Sequence, residues 1–102
     1  MGSFYVYIIE CSDNSYYTGI TNNVELRVWQ HNQGMDVTAY TYARRPVVLR
    51  YFQEFVNPNE AIAFEKQVKG WSHRKKKALI TQDIEKLKLL SNRKSHASSG
   101  SA

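Results

Sequence analysis

The sequence is short of the features that mark secreted and membrane proteins. Its 102 residues include one cysteine, Cys11, which can neither close an internal disulfide nor supply the several thiolates of a structural zinc site. The N-terminus has neither the basic region nor the apolar stretch of a signal peptide. No apolar run approaches the roughly 20 residues that span a bilayer. We therefore expect a cytoplasmic protein in which Cys11 is an ordinary strand residue.

Acidic residues are also scarce relative to basic ones. Nine Asp and Glu against 14 Lys and Arg leave a net charge of +5, and a positive surface attracts polyanions such as nucleic acid. Charge alone fits an ordinary solvated surface equally well. A chain of 102 residues that is 42% hydrophobic can bury one core. We expect one domain over residues 1–90 and a disordered Ser-rich tail over residues 91–102.

The predicted elements follow the order strand, strand, helix, strand, helix, helix. Aromatic and β-branched runs indicate the strands, while Asn or Ser caps and following glycines indicate the helix ends. The predicted strands are Phe4 to Ile9, Tyr16 to Thr21 and Val47 to Phe52. The predicted helices are Val24 to Gln33, one from the Asn57 cap to Gly70, and one from the Ser72 cap to about Leu90. We expect a small α/β fold with a three-stranded antiparallel sheet flanked by helices.

The loop between the first two strands decides which tyrosines share a face of the sheet. A three-residue loop that ends with Asn14 in the left-handed conformation places Tyr7 opposite Gly19 and puts Tyr7 and Tyr17 on the same face. Gly19 then leaves space beside Tyr7. A two-residue Asp13-Asn14 turn would separate the two tyrosines, and ordinary strand tyrosines would fit either turn.

Two predicted helices carry charged side chains beside their apolar faces. On the first helix, Arg27 and His31 lie one turn apart at the border of the apolar stripe, an arrangement that also fits a solvated helix face. On the second helix, Glu65 falls inside the apolar arc, where an ionised carboxylate needs a cation, a metal or a water-filled cleft. A salt bridge to Arg27 or a lysine and a metal site therefore both remain open for Glu65.

Taken together, these features resemble the GIY-YIG nuclease superfamily, and in particular its small stand-alone bacterial members of the UPF0213 type. The resemblance extends from Tyr5 to about Ile80. The matching positions are Tyr5-Val6-Tyr7, Tyr17-Thr18-Gly19, Arg27, His31 and Glu65, with further similarity in Arg44-Arg45-Pro46 and residues 65–71. The chain departs from the family pattern in Tyr5 for glycine, Thr18 for isoleucine, Ile20 for a lysine of some members, and Lys77 near the spacing of a downstream asparagine.

The resemblance implies a metal-dependent endonuclease that hydrolyses phosphodiester bonds in DNA, with structure selectivity or weak sequence specificity. Glu65 is then the sole protein ligand of one Mg²⁺ or Mn²⁺ ion, because water and substrate oxygens can complete the shell. Tyr7 is the preferred general base, and Tyr17 is the alternative base or the hydrogen-bond partner of Tyr7. Arg27 holds the scissile phosphate, and His31 orients a tyrosine or relays its proton.

Further basic residues are expected to contact the nucleic-acid backbone, although a solvated surface explains them equally well. They are Arg44, Arg45, His73, Arg74, Lys75, Lys76 and Lys77. Two other functions stay open. A nucleic-acid-binding module with little catalysis fits Ile20 and the missing asparagine. A nuclease subunit that needs a partner protein fits the small size of the chain.

Overall fold

The computed structural model describes residues 2–83 and 85–90, which form two compact units divided after Gly70. The first unit contains strands β1 (Phe4–Glu10), β2 (Tyr16–Thr21) and β3 (Val48–Phe55) and helices α1 (Val24–Gln33) and α2 (Pro58–Lys69), with a 3-10 turn at Tyr42–Arg44 before β3. The second contains α3 (His73–Thr81) and a helical stretch over residues 85–90. This order confirms the predicted α/β fold. The predicted tail over residues 91–102 lies outside the described residues.

The sheet is antiparallel, with the strands in the order β2-β1-β3. Asn14 adopts the left-handed conformation with φ 69°, and the Cys11 N–H donates to the Ser15 carbonyl at 2.8 Å, which closes a three-residue loop. Tyr7 is therefore paired with Gly19, as predicted, and the two-residue turn is not formed. β3 begins at Val48 and runs on to Phe55, beyond the predicted end at Phe52.

The two faces of the sheet differ in composition because side chains alternate along each strand. We call them the Tyr7 face and the Val6 face. From β1 and β2, the Tyr7 face receives Tyr5, Tyr7, Ile9, Tyr17 and Gly19. The Val6 face receives Phe4, Val6, Ile8, Thr18 and Ile20. Both faces contain fully buried residues, so each contributes to the core.

Each face is covered by a different helix of the first unit. Val28 of α1 packs against the buried cluster around Tyr7, so α1 lies on the Tyr7 face. Phe64 of α2 contacts the Phe55 ring with centroids 5.4 Å apart, and Phe55 pairs with Phe4 on the Val6 face. α2 therefore lies on the Val6 face, and it packs mainly along the edge strand β2.

The ends of α1 and α2 follow the caps predicted from the sequence. The Asn23 side chain accepts a hydrogen bond from the Leu26 N–H at 3.0 Å and begins α1. Gly34 ends the helix with φ 66°, a conformation that favours glycine. In α2, the Asn57 side chain accepts from the Asn59 N–H at 2.8 Å, and Pro58 occupies the first turn.

The third predicted helix is interrupted, and the expectation of one helix to about Leu90 is wrong. The Ser72 cap forms as predicted, since its hydroxyl accepts from the Lys75 N–H at 3.1 Å. Gln82 then adopts φ 57° and ends α3 after Thr81. The Asp83 carboxylate accepts from the Lys86 N–H at 3.1 Å, which starts a new helical stretch. Within the described ranges 2–83 and 85–90, no helix is both long enough and apolar enough to cross a membrane.

Candidate active site

Tyr7 occupies the centre of the candidate site and is almost completely buried, with 1% of its surface exposed. Its hydroxyl lies 2.9 Å from His31 Nε2. Across the strand pair, a Cβ added to Gly19 would stand 2.5 Å from Tyr7 Cζ and would clash with the hydroxyl as well. The glycine therefore makes room for the Tyr7 ring, as the hairpin register predicts.

His31 links Tyr7 to the loop after α1. Its Nε2 faces the Tyr7 hydroxyl, and its Nδ1 lies 2.9 Å from Thr41 Oγ1. Burial and the nearby positive charge of Arg27 both lower the pKa of His31. The imidazole is therefore neutral at neutral pH and carries one ring proton, on either Nδ1 or Nε2.

The environment of Tyr7 opposes ionisation of its phenol. Burial, together with the charge of Tyr17, raises the pKa of Tyr7 to about 12, although the Arg27 guanidinium beside the hydroxyl acts in the opposite direction. Tyr7 therefore holds its proton at neutral pH and has little contact with solvent. Tyr7 is the less accessible of the two tyrosines, so the partly exposed Tyr17 is better placed to act on a water molecule; the general-base roles of Tyr7 and Tyr17 both stay predictions.

Tyr17 lies beside Tyr7 and His31 and remains partly exposed. Its ring centroid is 6.4 Å from that of Tyr7 and 5.4 Å from that of His31, which it meets edge-on. On its other side, Tyr17 stacks with Tyr40 at 6.1 Å and an interplanar angle of 20°. Two aromatic neighbours and one half-exposed stacking partner thus hold the Tyr17 ring in a defined orientation.

A cavity of about 370 Å³ opens beside this cluster. Its lining includes Tyr17, His31 and Arg27. The Arg27 Nε donates to Gln30 Oε1 at 3.2 Å, which braces the guanidinium along α1. The cavity therefore combines a phenol, an imidazole and a cation, which are groups able to transfer protons and to bind phosphate.

Glu65 is paired with a lysine one turn along α2. Its carboxylate lies 2.9 Å from Lys69 Nζ, and the side chains are 12% and 56% exposed for Glu65 and Lys69 respectively. The hydrogen bond that Lys69 donates to Glu65 raises the pKa of Lys69. Of the two interpretations open for Glu65, the structure contains the ion pair; the Lys69 side chain in that pair is more than half exposed, while Glu65 is largely buried.

The donor set around Glu65 fits a hard divalent metal only as a single-carboxylate site. Among the described residues, no three His, Cys, Asp or Glu side chains converge to hold a metal ion. Mg²⁺ does not need such a cluster, because it commonly binds one or two carboxylates and keeps several waters. The negative charge of Glu65 reaches Tyr7, whose pKa is raised first by burial and also by this carboxylate. The charge of Glu65 therefore acts on the Tyr7 hydroxyl, while the membership of Glu65 in one site with the tyrosines stays a prediction.

Arg44 and Arg45, predicted as nucleic-acid contacts, brace the segment between α1 and β3. Arg44 Nε lies 3.1 Å from the Asp13 carboxylate, and its guanidinium covers the Tyr40 ring at 3.9 Å. Arg45 Nε donates to the Tyr42 carbonyl at 2.7 Å. Both guanidinium groups thus hold the chain in place, and their contact with nucleic acid stays a prediction.

The basic residues of α3 belong to the second unit and divide into two sets. His73, Arg74 and Lys77 are exposed. Lys75 and Lys76 are buried, and Lys75 Nζ lies 4.2 Å above the Trp71 ring. Because buried ammonium groups are poorly placed to follow a phosphate backbone, the exposed set is the better candidate for that contact.

Three side chains of the site were not predicted from the sequence: Gln30, Tyr40 and Thr41. Gln30 is one turn from Arg27 on α1, and that spacing could have revealed it. Tyr40 and Thr41 belong to an irregular segment with no periodic pattern. Their positions follow from the tertiary path of the loop, and no local sequence signal indicates them.

Comparison with known proteins identifies the family of the chain. The GIY-YIG catalytic domain model matches residues 3–78, a range that contains both tripeptides, Arg27, His31 and Glu65. The chain therefore belongs to the GIY-YIG nuclease family.

Relatives of similar size place the chain in the small single-domain UPF0213 group. A UPF0213 protein of Staphylococcus haemolyticus is 45% identical over 82 residues, which make up 80% of this chain and 99% of the relative. One from Halobacterium salinarum is 47% identical over 76 residues, or 74% and 97% of the two chains. The solution NMR structure of a UPF0213 protein from Bacillus halodurans is 40% identical, covers 78% of this chain and 84% of that chain, and has a TM-score of 0.52.

Proposed function

We propose that the protein is a metal-dependent endonuclease that hydrolyses phosphodiester bonds in DNA, with structure selectivity or weak sequence specificity. The observation that carries the proposal is the shared cavity of Tyr17, His31 and Arg27. Membership of a nuclease family supports the same reaction class. A net charge of +5 favours a polyanionic substrate.

The side chains around the cavity suit distinct steps of hydrolysis. Arg27 binds the scissile phosphate, because its planar guanidinium pairs with phosphate oxygens and its charge stabilises the negative transition state. Tyr17 lines the cavity, where its phenol can release its proton to water; the phenolate that results then accepts the proton of the attacking water. Tyr7 remains protonated and holds His31, so these two residues orient the other groups.

Glu65 is the residue that would hold Mg²⁺ or Mn²⁺, after the Lys69 ammonium moves away from its carboxylate. When bound, the metal supplies Lewis-acid stabilisation of the leaving oxygen. Lys69 is more than half exposed and sits on a flexible side chain, so its displacement costs little. In the absence of metal, the same ammonium neutralises the partly buried carboxylate.

A matched pair of variants on α2 tests this proposal. Glu65→Gln removes the charge at the candidate metal site, while Glu60→Gln changes an exposed glutamate in the first turn of the same helix. Duplex, branched and single-stranded DNA are incubated with each protein and Mg²⁺ or Mn²⁺. We expect cleavage by the wild type and Glu60→Gln that falls by at least about 100-fold in Glu65→Gln. No metal-dependent cleavage of any substrate, or equal cleavage by both variants, contradicts the proposal.

The Glu65–Lys69 ion pair also supports a second candidate function, a nucleic-acid-binding module with little catalysis. In that case Lys69 is a permanent partner of Glu65 and no metal is needed. Binding would weaken as salt increases, since phosphate contacts release counterions. Salt-dependent binding without turnover in the same experiment favours this function, and cleavage that appears only after a protein partner is added favours a nuclease subunit.

A further inference from the structure

Thr41 contacts the candidate site but has no part in the proposed steps of hydrolysis. It lies between α1 and β3, immediately before the 3-10 turn at Tyr42–Arg44, and 1% of its surface is exposed. Its hydroxyl oxygen is 2.9 Å from His31 Nδ1, on the side of the ring opposite Tyr7. Thr41 and His31 both line the cavity, but Thr41 itself is buried, so the hydrogen atoms of this contact are arranged chiefly within the protein.

The direction of the hydrogen bonds can be worked out from the groups around Tyr7. The buried Tyr7 hydroxyl carries one proton that needs an acceptor. Arg27, the cation beside this hydroxyl, has only donors. His31 Nε2 at 2.9 Å is therefore the acceptor. A neutral imidazole that accepts at Nε2 carries its proton on Nδ1 and donates it to Thr41 Oγ1.

We propose that Thr41 is a positioning residue that, together with Tyr7, stabilises one tautomer of His31 by accepting the Nδ1 proton. The effect of Thr41 on catalysis rests on the proposed function, whereas the hydrogen-bond arrangement depends only on the geometry of the side chains. With Nδ1 protonated, Nε2 receives the Tyr7 hydroxyl proton. The lone pairs of the Tyr7 oxygen are then directed to the Arg27 guanidinium, which is held at the cavity.

The opposite tautomer would disturb this chain of contacts. A proton on Nε2 would point at the Tyr7 oxygen, which already faces the donors of Arg27. The Tyr7 proton would then lose its acceptor, and Arg27 would be pushed towards a different orientation. Thr41 therefore influences the phosphate-binding cation through two intervening side chains, without touching the substrate itself.

Thr18 offers a matched control for Thr41. Both threonines are at least 98% buried, but Thr18 lies on the Val6 face and its hydroxyl has no hydrogen-bond partner in the described part of the chain. Replacement of either residue by valine keeps the size and removes the hydroxyl. A general effect of losing a buried hydroxyl appears in both variants, whereas an effect on His31 appears only in Thr41→Val.

The test is the tautomer of His31, read from the nitrogen chemical shifts of its imidazole in ¹⁵N-labelled full-length protein at neutral pH. His31→Gln identifies the signals among those of the three histidines. We expect protonated Nδ1 in the wild type, Thr41→Ser and Thr18→Val, and a larger fraction of protonated Nε2 in Thr41→Val than in the wild type, because Tyr7 alone then favours protonated Nδ1. Protonated Nε2 in the wild type overturns the proposal even where a variant fails to fold. An unchanged tautomer in folded Thr41→Val also overturns it.

Cleavage measurements separate this inference from the proposed function. The loss of one buried hydrogen bond predicts a fall in turnover of about fivefold to tenfold in Thr41→Val, with recovery in Thr41→Ser. A protein that cleaves no nucleic acid but shows the expected tautomers contradicts the proposed function and supports the hydrogen-bond arrangement. An active protein whose His31 tautomer is independent of Thr41 contradicts the positioning role alone.

Discussion

The two faces of the sheet are formed by the same strands, but different interactions stabilise them. On the Val6 face, Val6 and Ile8 are fully buried and apolar, and α2 covers them. On the Tyr7 face, the equally buried Tyr7 hydroxyl is bonded to His31. One face is held by packing, whereas the other combines packing with a hydrogen-bonded polar cluster.

The comparison shows how a chain of this size can hold both a core and a candidate active site. Because side chains alternate along a strand, neighbouring residues lie on opposite faces of the sheet. The Asn14 turn sets the register and so determines which residues share each face. Glu65 comes from α2, the helix of the Val6 face, but α2 packs along the edge strand β2. The edge of the sheet is thus where groups from both sides meet.

The largest expected effect comes from a comparison of two neighbouring tyrosines of β2 whose side chains lie on opposite faces of the sheet. Tyr17→Phe removes the hydroxyl from the cavity and should lower the cleavage rate by about 100-fold to 10,000-fold, the usual contribution of general base catalysis. Tyr16→Phe removes the hydroxyl of the adjacent residue, which points to the other face, and should leave the rate unchanged. Single-turnover cleavage measures both variants. Similar losses in the two variants would remove Tyr17 from the mechanism.

A large effect on stability alone is expected from the Val6 face. Ile8→Ala leaves a cavity in the fully buried core and should lower the free energy of unfolding by about 2–5 kcal/mol. Urea unfolding measures the loss. The His31 tautomer and the cleavage rate of the folded fraction should remain those of the wild type. A changed tautomer in folded Ile8→Ala would show that the two faces are not independent.

Substitution of Gly19 tests the packing of the Tyr7 face directly. Gly19→Ala introduces a Cβ that overlaps the end of the Tyr7 side chain, and overpacking of this kind should lower the free energy of unfolding by about 1–3 kcal/mol. Gly2→Ala meets no atom within 4 Å and serves as the control. We also expect the Tyr7–His31 contact to be disturbed in His31 NMR spectra. Unchanged stability and spectra would mean that Tyr7 does not occupy this position.

The smallest expected effect is an increase in stability on the Val6 face. The buried Thr18 hydroxyl has no hydrogen-bond partner among the described residues, so Thr18→Val should raise the free energy of unfolding by about 1 kcal/mol. Chemical denaturation measures the change. A loss of stability would show that the Thr18 hydroxyl has a partner in solution, such as a buried water.

Local sequence signals predicted the elements that depend on local chemistry. Asn14 specified the hairpin register, and Asn23 and Gly34 specified the ends of α1, because these residues act on the backbone next to them. The interruption at Gln82 was missed, since apolar residues continue beyond it and conceal the break. Asp83, a typical cap, is the signal that could have revealed it.

Several residues of the candidate site were predictable from the sequence, but the contacts that they make were not. The spacing and the family resemblance indicated Tyr7, His31 and Glu65. Burial of Tyr7, the contact of His31 with Thr41 and the pairing of Glu65 with Lys69 depend on how distant segments pack. Such contacts decide which tyrosine can exchange protons with water, and composition and periodicity do not report them.

The central claim is that Glu65 and the tyrosines form one metal-dependent site, and a Mn²⁺ titration followed by NMR tests it most directly. Paramagnetic broadening depends on distance from the ion, so it locates the metal without requiring turnover. We predict broadening that is centred on Glu65 and extends to Tyr17. This broadening should be lost in Glu65→Gln but kept in Glu60→Gln. Broadening centred elsewhere, or unchanged in Glu65→Gln, would contradict it.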